Sequence, residues 1–301
     1  MFAGEHILVT GGSGFIGRSI VPALVAAGAR VTVADRIPYP DASVPTVGGD
    51  LCDPAVRDTA VTEDLTGIVH LAAITSVLGS LADPGGVHEN NVTVTAGLLE
   101  LARRRSVNRF VMASTNAVTG DIGTGTIHEG LPLRPLTPYG ATKAAAEMLL
   151  SGYAGGYGMT TCALRLTNVY GPGMELKDSF VPRLMRAAMK GTGVQIYGDG
   201  LQRRDLVHVD DVVAGLFVAW SAAHTGALII GAGRSITVLD IVAGVERVVG
   251  EPIAREHVPA KPGEMPAVIV SIDQARALGY LPSVSLDAGL ETVWCDLRRS
   301  E

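Results

Sequence analysis

Short runs of β-branched and aliphatic residues alternate with helix-period stretches through the first two thirds of the chain. The runs are HILVT (6–10), ARVTVAD (29–35), GIVHLAA (67–73), RFVMAS (109–114) and TCALRL (161–166), each followed by enough chain for a crossover helix. Helical periodicity between them places helices roughly over 14–27, 91–104 and 138–153. This alternation predicts an α/β fold built on a doubly wound parallel sheet. After Asn168 the rhythm loosens into turn-rich segments (YGPGMELKD, YGDGLQRRD, KPGEMP), which suits a smaller C-terminal lobe. The expected division is 1–167 for the sheet domain, with a return segment at about 205–232, and 168–204 with 233–301 for the lobe.

One apolar stretch changes that picture if it spans a bilayer. Val212 to Gly233 contains no Asp, Glu, Lys or Arg and is long enough to cross. His224-Thr225-Gly226 divides it into a helical half, DVVAGLFVAW, and a strand half, ALIIGAG, so we expect no membrane span. The first residues run straight into a strand without a secretory signal, and a cytoplasmic location is the expectation. At 301 residues and 47% hydrophobic the chain can bury a large core. Its net charge of −6, with the two signs interspersed, gives no basic field for nucleic acid or an anionic membrane. Cys52, Cys162 and Cys295 are odd in number and far apart, which argues against a disulfide framework and against a zinc site, so no metal is expected.

Gly11-Gly12-Ser13-Gly14-Phe15-Ile16-Gly17 follows the first strand and opens the first helix. Glycines there let the backbone approach a pyrophosphate, and the helix N-terminus supplies N–H donors. Asp35 ends the second strand eighteen residues past Gly17, where a carboxylate can accept from the adenosine ribose and repel a 2′-phosphate. NAD is therefore expected over NADP, with the adjoining Arg36 as the opposing feature. Asp50 and Leu51 stand where a short side chain can meet the adenine edge, or simply form a surface turn. Leu71, Ala72 and Ala73 end a strand with small residues that leave room for a ligand or pack beneath a helix.

Tyr139 and Lys143 lie four residues apart at the start of the helix opened by Pro138, hence on one face. A neighbouring ammonium favours phenolate, so the pair predicts a tyrosine whose pKa is drawn down toward working pH, a usable general base.

At this point the chain resembles the extended short-chain dehydrogenase/reductase family, in the NAD-dependent epimerase/dehydratase branch that contains UDP-glucose 4-epimerase. The matching segments are VTGGSGFIG, GDLCD, HLAA, MASTNAVTG, PYGATK, LRLTNVYGPG, YGDGLQRRDLVHVDD and PGE, in family order along nearly the whole chain. The resemblance implies Thr115 as the hydroxyl residue, Tyr139 as the base and Lys143 as the ligand of the nicotinamide ribose. It adds Asn91 and Ser114 to the cofactor residues named above. It implies Thr75, Asn168, Val181, Gln195, Tyr197, Arg204, Lys261 and Glu264 as contacts of a nucleotide-diphosphate sugar, with Arg204 as a planar fork for phosphate. It also implies a homodimer through the helices at 91–104 and 139–153.

The chain departs from the family in places. Asn116-Ala117 replaces the Asp-Glu pair with which the family's dehydratases eliminate water, so 4,6-dehydration is not expected. Val118-Thr119-Gly120 replaces the usual Val-Tyr-Gly, and Lys261 stands where Arg is common. The expected activity is a 4-epimerase, with NAD taking the C4 hydride and returning it to the opposite face of a 4-keto sugar. A neutral hexose is expected ahead of a uronate, for which Arg183, Arg186 or Lys190 would be the carboxylate partner. The competing readings are an NAD(H)-dependent 4-ketosugar reductase or sugar-acid dehydrogenase and, from another class, a non-catalytic dinucleotide sensor.

Overall fold

The computed structural model describes residues 2–175, 177–260 and 266–299. The chain opens with β1 (His6–Thr10), α1 (Gly17–Ala26), β2 (Arg30–Asp35), β3 (Thr46–Gly48), α2 (Pro54–Ala60) and β4 (Gly67–His70). There follow α3 (Val77–Ala82), α4 (Pro84–His88), a π-helical turn at Glu89–Thr93, α5 (Val94–Arg104), β5 (Arg109–Thr115), a 3₁₀ turn at Asn116–Thr119 and β6 (Thr126–Ile127). Next come α6 (Pro138–Tyr157), β7 (Thr160–Leu166), β8 (Asn168–Tyr170), α7 (Phe180–Met189), β9 (Val194–Tyr197), β10 (Arg203–His208), α8 (Val209–Ser221) and β11 (Gly226–Ile230). The chain ends with β12 (Ser235–Thr237), α9 (Val238–Val249), β13 (Arg255–Val258), β14 (Ile269–Val270), α10 (Asp273–Ala277) and α11 (Leu286–Arg299).

Seven strands form one sheet in the order β11-β7-β5-β4-β1-β2-β3, and the ladders from β7 through β3 are parallel. Six of them read, in chain order, as the 3-2-1-4-5-6 arrangement of a dinucleotide-binding sheet, whose direction reverses between β1 and β4. The expected doubly wound α/β fold is therefore present. The apolar runs read from the sequence fall on β1, β2, β4, β5 and β7. The stretch Val212–Gly233 contributes to both a helix, α8, and a strand, β11, and no described helix is long and apolar enough to cross a membrane.

By its contacts the chain divides into two compact units: residues 1–121, 129–166 and 215–228, and residues 122–128, 167–214 and 229–301. In the first, Leu8, Ile68, Leu98, Leu99, Phe110 and Met112 are fully buried where α5 and the sheet meet. Each such side chain contributes about 1.5–3 kcal/mol of burial. Helix α6 packs on α5, β5 and β7. It starts where Thr137 accepts from the Gly140 N–H (3.1 Å) with Pro138 in its first turn, and it stops at Gly158 in the left-handed region.

The second unit holds the sheet β12-β10-β8 and the pairs β13-β9 and β14-β6. Buried Asp205 organises it, accepting from the Thr167 hydroxyl (2.8 Å) and from the N–H groups of Ala232 (2.8 Å) and Arg234 (3.1 Å). Asp211 accepts from the Ser283 N–H (2.8 Å), which fastens the C-terminal segment to α8.

Candidate active site

The turn between β1 and α1 is shaped by close backbone approach. Gly11 has φ +71°, and a Cβ there would stand 2.7 Å from the Ala72 nitrogen, while one at Gly17 would stand 2.5 Å from the carbonyl oxygens of Gly11 and Gly12. The loop can therefore lie flat over the ends of β1 and β4 only with glycine at these positions. The N-cap residue of α1, Ile16, makes no side-chain capping hydrogen bond, and the first turn has no acidic residue. The Arg18 and Ser19 N–H groups donate to the Gly14 (2.9 Å) and Ile16 (3.1 Å) carbonyls, and the helix dipole behind the turn favours an anion there.

Asp35 stands over this turn. One carboxylate oxygen accepts from the Ser13 N–H (3.0 Å) and the other from the Ile37 N–H (3.1 Å), while the Ser13 hydroxyl donates to the Ile37 carbonyl (2.7 Å). Arg36 is exposed, and Asp50 accepts from the Cys52 N–H (2.9 Å), which holds its pKa below the ordinary value. Leu51 is buried, and Leu71, Ala72, Ala73, Phe15 and Ile16 are half-buried at the strand ends. Two cofactor candidates have their side chains turned inward. Asn91 donates to the Ile74 carbonyl (2.9 Å) and to the Thr142 hydroxyl (3.1 Å) and accepts from the Ile74 N–H (2.9 Å). Ser114 donates its hydroxyl to Glu147, 33 residues further along the chain.

Thr115 ends β5, and Tyr139 and Lys143 occupy the first two turns of α6. The structure brings the three together. The Thr115 hydroxyl accepts from the Ala117 N–H (3.2 Å) and stands near enough to the Tyr139 phenol to favour the phenolate. Lys143 is 3% exposed and its Nζ donates to the Ala113 carbonyl (2.9 Å), so its stem lies along the strand that carries Thr115.

The acidity of the phenol differs from the expectation. Burial pushes the Tyr139 pKa up to about 12 rather than down, with the Thr115 hydroxyl only partly opposing it. A phenolate loses its hydration in this setting, and the Lys143 ammonium is committed to a backbone carbonyl. Burial likewise draws Lys143 down to about 8, against the pull of Glu147. His70, beneath it on β4, is fully buried and drawn down to about 3, first by desolvation and then by Lys143, so it is neutral.

Within the second unit, Asn168 on β8 donates to the Asp205 carbonyl (3.0 Å), and Arg204 on the neighbouring β10 donates to the Arg203 carbonyl (2.8 Å). Gln195 and Tyr197 stand two residues apart on β9, hence on one face, and Val181 is buried on α7. Thr75 is exposed in the first unit, after β4. Lys261 and Glu264 lie outside the described residues. Of the cations considered for a uronate, Arg183 pairs with Asp178 (3.2 Å) and Arg186 donates to the carbonyls of Glu175 and Lys177. Among the described residues no group of His, Cys, Asp and Glu is placed to hold a metal ion. Sequence reasoning passed over Glu147 and Arg165, a buried ion pair beside the site; Glu147 is four residues beyond Lys143 on the same helix face, a spacing that could have singled it out.

The chain is similar to several known proteins. A dTDP-glucose 4,6-dehydratase of Actinoplanes sp. is 33% identical over 98% of both chains. The solved structure of MoeE5 in complex with UDP-glucuronic acid and NAD is 35% identical, with a TM-score of 0.91 over 99% of this chain and all of that one. UDP-glucose 4-epimerase of Thermus thermophilus, in complex with NAD, is 32% identical with a TM-score of 0.90 over 98% and 99%. With the family model matched over residues 7–231, the chain belongs to the NAD dependent epimerase/dehydratase family.

Proposed function

We propose that the protein is an NAD-dependent nucleotide-sugar 4-epimerase. The observation that carries this reading is the set Thr115, Tyr139 and Lys143 gathered at the strand ends, followed by a turn, Asn116–Thr119, that holds no carboxylate. The Gly11–Gly17 turn, the N-terminus of α1 and Asp35 would hold NAD, which would supply the hydride acceptor. The positive charge of the bound cofactor would add to the Lys143 ammonium and the Thr115 hydroxyl in favouring the phenolate of Tyr139 against the burial that opposes it. Tyr139 Oη takes the proton of the sugar 4-hydroxyl as the C4 hydride leaves, and the Thr115 hydroxyl holds that oxygen. Once the 4-keto sugar has turned over, Tyr139 returns the proton to the C4 oxygen, and the reduced cofactor would return the hydride to the other face. Arg204 and Asn168 hold the diphosphate throughout.

Many relatives carry the name dTDP-glucose 4,6-dehydratase, which makes elimination of water the second reading. Elimination needs a further acid and base beyond the tyrosine. Asn116 and Ala117 supply neither, and this favours epimerisation. A neutral hexose is favoured over a uronate because Arg183 and Arg186 are already engaged.

Incubation with UDP-glucose, UDP-glucuronate and dTDP-glucose in turn, followed by chromatography of the nucleotide sugars, tests the proposal. The C4 epimer should form with no net change in nicotinamide absorbance. A 4-keto-6-deoxy product, or stoichiometric NADH, overturns it. We further propose a homodimer built on α5 and α6, on whose surface Met148 and Tyr157 are exposed; light scattering giving the mass of one chain rejects it.

A further inference from the structure

Beside Thr115, Tyr139 and Lys143 lies a charged cluster that the proposed reaction does not itself consume. Glu147 stands one helical turn beyond Lys143 on α6, and Arg165 reaches it from β7; both side chains are 5% exposed. Arg165 Nε lies 3.1 Å from each Glu147 carboxylate oxygen and Nη2 lies 2.8 Å from Oε2. The Ser114 hydroxyl donates to Oε1, and Arg165 Nη1 donates to the Glu129 carbonyl (3.3 Å). Lys143 and Glu147 are thus fastened to successive residues, Ala113 and Ser114, of the strand that ends in Thr115.

A buried ion pair of this kind contributes little stability compared with apolar residues of the same volume. What it does provide is a carboxylate fixed one helical turn from the buried ammonium. The other titratable groups around Lys143 do not supply one. Tyr139 on α6 and Cys162 on β7 are held protonated by burial. His70 on β4 is neutral with one defined proton arrangement. The Thr95 hydroxyl donates to the Asn91 carbonyl (2.7 Å), so Thr95 Oγ1 must accept from His70 Nε2–H (3.0 Å), and His70 Nδ1 accepts from Thr10 (2.7 Å). Arg165 is positive and is neutralised by Glu147 itself.

We propose that Glu147, locked by Arg165 and Ser114, is a positioning residue that keeps Lys143 charged and in register with Thr115 for the reaction proposed above. The lock has a defined division of labour. Glu147 acts on the ammonium directly; Arg165 and Ser114 act by keeping its carboxylate pointed.

The chain has only four lysines, Lys143, Lys177, Lys190 and Lys261, so lysine-labelled protein gives four side-chain NMR signals that a Lys143→Arg variant assigns. The native Lys143 signal should titrate near pH 8. Glu147→Gln should lower its midpoint by about one pH unit or more, as loss of a neighbouring opposite charge does. Arg165→Met, which leaves the carboxylate in place, should not lower it. The double variant Glu147→Gln/Arg165→Met leaves no unpaired charge buried and should again titrate below the native protein. If Glu147→Gln does not fold, this double variant decides the matter. An unchanged or raised midpoint in the carboxylate-free variants, or an equal fall in Arg165→Met, overturns the proposal. The titration uses no substrate, so it stands or falls independently of whether the sugar is epimerised; where activity is found, the alkaline limb of kcat should move with the midpoint.

Discussion

Replacing Gly11, Gly28 and Gly14 by alanine, one at a time, separates the two constraints on the nucleotide turn. At Gly28 (φ +95°) the nearest atom to an added Cβ is 3.5 Å away, so only the backbone conformation is penalised. A left-handed conformation costs a non-glycine residue about 1–2 kcal/mol. At Gly11 (φ +71°) the same conformational cost applies, and the Cβ falls 2.7 Å and 2.9 Å from the Ala72 nitrogen and Cα. These are backbone atoms, and the adjoining Leu71 N–H is tied to the Thr10 carbonyl at 3.0 Å, so the strand end cannot yield cheaply. Overpacking of this kind adds about 1–3 kcal/mol. At Gly14 no positive φ is involved and the only neighbour is the Gly11 carbonyl at 3.2 Å. Restriction of the unfolded chain, worth about 0.4–1 kcal/mol, is common to all three and drops out of their differences. Denaturant unfolding should therefore rank Gly11→Ala as the most destabilising and Gly14→Ala as the least, with Gly11→Ala about 1–3 kcal/mol worse than Gly28→Ala. Calorimetry should show NAD affinity lost in Gly11→Ala and retained in Gly28→Ala. Equal stability of the Gly11 and Gly28 variants, or native NAD affinity in Gly11→Ala, refutes the reasoning.

Two further outcomes follow from the titratable groups. Tyr139→Phe should lower turnover by about 10²–10⁴ while leaving NAD bound, because general-base catalysis contributes that much and the phenol is not part of the turn that seats the cofactor; near-native turnover removes Tyr139 as the base. His70 has a folded pKa of about 3 against an ordinary 6.5, so the unfolded chain binds the extra proton between these values and stability is lost as pH falls from 6.5 toward 3. By pH 5 the loss amounts to about 2 kcal/mol, and it should be absent in His70→Gln when both proteins are unfolded by urea at pH 7 and pH 5.

Local pattern carried the parts of this protein whose causes are local. The β1 run, the glycine turn and the four-residue spacing of Tyr139 and Lys143 all lie within one element and its flank, and the strand and helix appear where periodicity placed them. The end of α6 came later than expected, at Tyr157 rather than 153, where Gly158 in the left-handed region caps it. The acidity of Tyr139 was not legible, because burial depends on what the fold lays over the phenol. Nor was the inward turn of Ser114, whose partner Glu147 is held in turn by Arg165 from a third element. Such contacts join residues 18 to 33 positions apart and leave no periodic trace in the chain.

The π turn at Glu89–Thr93 has a consequence for the length of the chain there. Its hydrogen bond runs from the Val94 N–H to the Glu89 carbonyl, five residues back, which amounts to one residue more than an α-helix would use. That surplus residue is what swings Asn91 inward to clamp the Ile74 peptide on both its donor and its acceptor. Deleting a single residue between 89 and 93 would restore regular winding and rotate everything downstream by about 100°, carrying the clamp off Ile74 and away from Thr142. The segment therefore tolerates changes of side chain far better than changes of residue number, and a related chain one residue shorter here must secure the end of β4 by other means.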